Sequence, residues 1–162
     1  MDGEFPLESI IVDANLLLLL VVGSWSPQEI AKQKRLSGLT TSDFLLLTTF
    51  LSGFRKTVTT PHLLTEVSNL AGAATGMARQ AIFTQFAETI SALDERHLAA
   101  TEIAATPEFK AFGLTDAMLS LLCRETVLVT ADGRLAAHLQ RKGWHAYTLD
   151  QVRALRDAEN MR

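Results

Sequence analysis

The sequence has a single cysteine, Cys123, so it can form neither an internal disulfide nor a cysteine-built zinc site, and a reducing compartment suits it best. It has no surplus of positive charge. Lys and Arg total 15 against 18 Asp and Glu, a formal net charge of −3. That excludes a protein that grips nucleic acid by overall charge and leaves only a local basic face. It lacks a membrane-length apolar run: residues 10–22 are interrupted by Asp13 and Asn15 and fall short of the roughly 20 residues a span needs. Asp2, Glu4 and Glu8 precede that run where a secretory signal wants basic residues, so a cytoplasmic protein with no membrane partner is expected. No serine nucleophile elbow, cysteine–histidine signature or phosphate-cradling glycine loop is present. His62, His97, His138 and His145 show no ligand spacing. What is there, 162 residues at 48% hydrophobic, has the make-up of one domain over 1–162, with 159–162 a frayed tail.

Apolar runs and caps place the elements. Residues 10–12 read as a buried strand and 16–22 as a helix apolar on all sides, ended by Gly23. Ser26-Pro27-Gln28-Glu29 reads as a capped helix start, opening a basic helix through Arg35. A helix from Thr41-Ser42-Asp43 turns Phe44, Leu45, Leu47, Phe50 and Leu51 inward and stops at Gly53; a strand follows over 57–59. Thr60-Pro61 starts a helix with Leu63, Leu64, Val67, Leu70 and Ala71 on one side. A long helix then runs to Leu93, with Ile82, Phe83, Phe86 and Ile90 inward. Residues 94–112 read as helical pieces with room for an edge strand. Residues 127–130 form a strand, 134–142 a helix closed by Gly143, 145–149 a last strand, and Asp150 caps a terminal helix that frays after Ala158. Alternating strands and helices predict an α/β fold of three layers, α/β/α, around a parallel sheet. Its ligand crevice should lie beyond the carboxyl ends of the strands.

Four acids fall at or near the ends of these segments. Asp13 follows Ile10-Ile11-Val12, Glu66 follows Thr60-Pro61, Asp116 follows Gly113-Leu114-Thr115, and Asp132 follows Val127 to Thr130. Each has a plainer explanation: Asp13 a helix cap, Glu66 a boundary glutamate, Asp116 a first-turn acid behind a Thr115 cap, Asp132 a turn. Together they suggest one crevice ringed with negative charge. Two carboxylates ~4 Å apart repel by about 4 kcal/mol at an effective dielectric of 20, so such a ring holds protons or a cation. An oxygen-only ligand set suits Mg2+ or Mn2+, which keep several waters and share positions with substrate phosphate oxygens. The expected chemistry is phosphodiester hydrolysis by metal-bound water. Asp116, Ser120 and Arg124 fall on one polar stripe of their helix, and Thr130 is placed to hold Asp132 or a phosphate.

The segments IIVDANLLLLL, TPHLLTEVSNL, GLTDAMLSLL and VLVTADGRLA resemble, in order and context, the four acidic motifs of the PIN-domain nucleases, which include the VapC-type toxins of bacterial toxin–antitoxin pairs. The resemblance spans nearly the whole chain. It implies a PIN-like fold and a metal-dependent endoribonuclease with Asp13, Glu66, Asp116 and Asp132 as metal-binding catalytic acids. Asn15, in the D-x-N pattern, would orient Asp13 or a metal-bound water. It further implies an RNA substrate, a homodimer and a small antitoxin protein as partners. The Leu-rich stretch 44–51 also suits a dimer. The chain departs from the pattern in being longer before the second acid.

Arg134 is a candidate phosphate contact, and Lys32, Lys34, Arg35, Arg55, Lys56, Arg141 and Lys142 are further cations whose usual place is a solvated face. Trp25 and Trp144 could stack on bases, though packing is their commoner use. A haloacid-dehalogenase-like phosphatase would need a second aspartate where Asn15 stands. The non-enzyme alternative is a PIN-fold RNA-binding or scaffold protein.

Overall fold

The computed structural model describes residues 7–162, so Asp2 and Glu4 of the acidic start lie outside the described residues. Strands β1 (Ser9–Val12), β2 (Lys56–Thr59), β3 (Asp94–Glu95), β4 (Val127–Val129) and β5 (Ala146–Tyr147) form one sheet in the order β3-β2-β1-β4-β5. Every pairing is parallel, with Ile11 opposite Val58 on one side and Leu128 on the other. The helices are α1 (Ala14–Trp25), α2 (Thr41–Leu51), α3 (Pro61–Ala71), α4 (Gly76–Ser91), α5 (Ala100–Ala104), α6 (Glu108–Phe112), α7 (Leu114–Leu122), α8 (Gly133–Arg141) and α9 (Leu149–Asn160). Each parallel pairing needs a crossover, and the helices cover both faces of the sheet, giving three layers, α/β/α.

The chain runs outward from β1 through β2 to β3, then returns to the other side of β1 as β4. The order therefore reverses between β1 and β4, and a crevice opens at their carboxyl ends. Helix α1 is apolar all round because it packs against α2, α3 and α4 and is buried along most of its length. Leu16, Leu17 and Leu19 are fully buried, each worth about 1.5–3 kcal/mol. Among the described residues no helix is long and apolar enough to cross a membrane.

Several boundaries differ from expectation. Gly23 does not end α1, which continues to Trp25; a Cβ there would sit 2.3 Å from the Phe44 ring, so the glycine is a contact point for α2. Ser26 opens a 3₁₀ segment, Pro27–Lys32, followed by another, Lys34–Leu36, in place of one basic helix; its hydroxyl binds Gln28 and caps nothing. α2 starts from a Thr40–Asp43 capping box; Leu46 is buried beside the expected Leu47 and Phe50, while Leu45 is 58% exposed. Gly113 precedes α7, displacing Thr115 as its cap. Thr148, paired with Gln151, caps α9 where Asp150 was expected. α9 also reaches Asn160, past the expected fraying point. The last strand is shorter than expected. The edge strand in 94–112 is present as β3.

Candidate functional site

Asp13 is both a cap and a cavity residue. Its backbone N–H extends the β1–β4 ladder by donating to the Val129 carbonyl at 3.1 Å. Its Oδ1 accepts from the Leu16 N–H at 3.0 Å, starting α1. Its Oδ2 accepts from the Thr130 hydroxyl and the Ala131 N–H, both at 2.6 Å. The side chain is nearly buried, and that burial pushes its pKa up against the pull of the three hydrogen bonds, with Glu66 adding to the rise.

Thr130 joins the first acid to the fourth. Its hydroxyl donates to the Asp13 carboxylate and accepts the Asp132 N–H at 3.0 Å, so it holds both segments together. Asp132 caps α8: its Oδ1 takes the N–H groups of Arg134 and Leu135 at 2.9 and 3.1 Å. The capping explanation therefore holds for both aspartates without removing either from the crevice. Asp13, Asn15, Glu66, Thr115, Asp116, Thr130 and Asp132, with Ala14, Leu119 and Ala131, line one cavity of about 260 Å³ at the β1/β4 reversal. All four acids and both supporting residues picked from the sequence meet there.

Asp116 feels the others most. Its carboxyl is pushed up to about 6, first by burial and then by the charges of Asp132, Glu66 and Asp13. No Lys or Arg lines this cavity among the described residues. The charge on the acids is thus unmatched from within.

Several of the cations have partners elsewhere. The Arg134 guanidinium donates to the Ala111 carbonyl at 3.2 Å and lies 4.7 Å from the Phe112 ring centroid, tying α8 to α6. Lys32 pairs with Glu29 and Arg55 with Glu8. Arg124, expected on the polar stripe with Asp116, lies over Trp144, and Ser120 is buried with its hydroxyl donating to the Asp116 carbonyl. Asn15 is exposed on the cavity wall; Asp13 is oriented by Thr130, Ala131 and Leu16 instead.

Two participants escaped the sequence reading. The Ala131 N–H is a backbone donor, and no residue identity signals it. Glu108, 2% exposed, accepts from Lys142 and meets His138 Nε2 at 3.1 Å. Burial alone would raise its pKa, but these hydrogen bonds outweigh it and hold the carboxyl down at about 2. It pins α6, the element just before Asp116, to α8. Cys123 is buried, its thiol pushed up to about 12, and is not a nucleophile.

Among the described residues, no three acidic, histidine or cysteine side chains stand ready as a finished metal cage. A hexacoordinate Mg2+ keeps several waters and needs one or two carboxylates, so the donor set, oxygen-only and unmatched in charge, fits such an ion. No protein-family model matches the chain, and no curated protein matches it. Among solved structures it is similar to the crystal structure of PAE2754 from Pyrobaculum aerophilum, with a TM-score of 0.55 and 13% identity over 94% of this chain and 99% of that one. At that identity the likeness shows the fold alone.

Proposed function

We propose that the chain is a metal-dependent endoribonuclease of the PIN type, hydrolysing RNA phosphodiester bonds at the acidic cavity. The observation that carries this is the meeting of four carboxylates, from the ends of β1 and β4, the middle of α3 and the first turn of α7, in one cavity without a cation of the protein's own among the described residues. Asp13, Glu66, Asp116 and Asp132 would hold Mg2+ or Mn2+. Such an ion, when bound, supplies a water of lowered pKa and neutralises charge on phosphate oxygens.

The chain's own residues do the rest. Thr130, Ala131 and Leu16 fix the Asp13 carboxylate so that it does not reorient when charge changes beside it. The Asp132 Oδ1 is held by α8, which aims the rest of the carboxylate at the cavity. Asn15 offers an uncharged amide to the substrate side. A role as toxin, with a homodimer and a small antitoxin, belongs to this proposal through the family resemblance.

A non-catalytic RNA-binding or scaffold protein of the same fold is the second reading, favoured by the lack of a finished three-acid cage. One experiment separates them: cleavage of mixed single-stranded RNA with Mg2+, Mn2+ or chelator, beside Asp116→Asn. Metal-dependent cutting lost in the variant supports the nuclease; a folded wild type that neither cuts nor binds Mn2+ overturns it.

A further inference from the structure

Helix α3 carries a second pattern besides its apolar stripe. His62, Thr65, Glu66 and Asn69 recur at i, i+3, i+4 and i+7, one polar face running the length of the helix. With Leu114 and Thr115 from the start of α7, and Pro61, these residues line a groove of about 410 Å³, within the roughly 300–1,000 Å³ of ligand pockets. Glu66 and Thr115 line both this groove and the acidic cavity, so the two are continuous.

The groove's chemistry differs from the cavity's. Glu66 is its one carboxylate and no Lys or Arg lines it among the described residues, which suits neither a phosphate nor a metal ion. Leu114 is 37% exposed, an apolar surface left at the wall. The His62 imidazole lines the same wall, with its Nδ1 buried and lacking a hydrogen-bond partner. The Thr65 hydroxyl is committed to the Pro61 carbonyl at 2.8 Å, whereas the exposed Asn69 amide is engaged by no described residue. A flat apolar contact, a ring and a free amide beside a phosphate-handling site are what a nucleobase requires.

We infer that the α3/α7 groove is a nucleoside subsite, holding the base next to the scissile phosphate between Leu114 and His62 while Asn69 hydrogen-bonds its edge. This rests on the ribonuclease reading of the cavity. It makes α3 bifunctional: Glu66 serves the cavity, and the residues on either side of it serve the neighbouring nucleoside.

The test is an amide NMR titration of the full chain with ribodinucleoside monophosphates in Ca2+, together with a separate Mn2+ titration. Shifts should gather at 62–69 and 114–115. Asn69→Ala and Leu114→Ala should each weaken dinucleotide binding about five- to tenfold while Mn2+ affinity stays within about twofold. Wild-type dinucleotide affinity in both folded variants overturns the subsite, as does a chain that takes up Mn2+ but no dinucleotide. Dinucleotide binding at the groove without Mn2+ uptake overturns the nuclease and leaves a nucleoside-binding groove with no scissile phosphate beside it. A chain that takes up neither overturns both.

Discussion

Replacing Asp116 by asparagine should make the metal-free protein more stable at pH 7. The Asp116 carboxyl is raised from 3.8 to about 6, a difference of about 2 units, and each unit is worth about 1.4 kcal/mol. The full cost of ionising it in the fold is therefore about 3 kcal/mol, reduced to about 1–2 kcal/mol because the side chain is partly exposed and solvent screens it. The sign follows from proton binding. Between pH 3.8 and about 6 the folded chain keeps a proton that the unfolded chain has released, so wild-type stability falls as pH rises through that window. Asparagine cannot ionise. Its advantage should be near zero below pH 4 and complete above pH 6. For a domain of this size that is a melting-temperature gain of roughly 2–8 °C at pH 7. Thermal scans of both proteins in chelator from pH 4 to 8 would read it directly. Millimolar Mn2+ should then favour the wild type, since only the species that binds the ion well gains from it. A variant that melts at or below the wild type at pH 7 in chelator, or whose gain ignores pH, would refute a carboxyl raised by its burial and by the charges of its neighbours.

Asp13→Asn should abolish cleavage, but unlike the simple loss of a ligand charge it should also destabilise the fold by about 1–3 kcal/mol. Both carboxylate oxygens accept protein N–H or O–H donors, and the new amide must turn its own N–H toward one of them; denaturant melts check this, and an unchanged midpoint would count against the three-bond arrangement. Gly23→Ala should cost about 1–3 kcal/mol by forcing the Phe44 ring aside, and Phe44→Leu in the same chain should recover much of the loss in thermal melts. Glu108→Gln should remove stability that the wild type has above pH 4.5 and loses as pH falls toward about 2, worth up to about 3 kcal/mol near neutrality. Equal urea midpoints for variant and wild type at pH 7 would contradict the buried pair with Lys142.

The fold was legible where a local signal and a tertiary demand coincided. Thr60-Pro61 caps α3, and the β1 and β4 runs are apolar because both lie inside the sheet. It was illegible where tertiary contact decided. Gly23 looked like a stop because a glycine after an apolar run often is one, yet here it serves the Phe44 ring of another helix. In α2 Leu47 and Phe50 face inward as expected, but tertiary packing buries Leu46 and leaves Leu45 out. The acids were found because side-chain identity carries the signal. What holds them was half hidden: the Thr130 hydroxyl is visible in a sequence, but its partner Asp13 lies 117 positions away, and the Ala131 N–H leaves no trace at all.

That separation has a consequence for how the protein comes into being. β1 leaves a ribosome long before its inner partner β4, so the wall of the crevice cannot form until Val129 has been made. Pairings of such long range are slow to form and hold the folding rate down. The nascent chain meanwhile carries the apolar α1 with its packing partners α3 and α4 still to be made, a stretch for chaperones to shield. A chain released before residue 127 would keep β1, β2 and three of the four acids, yet could not close the crevice around them.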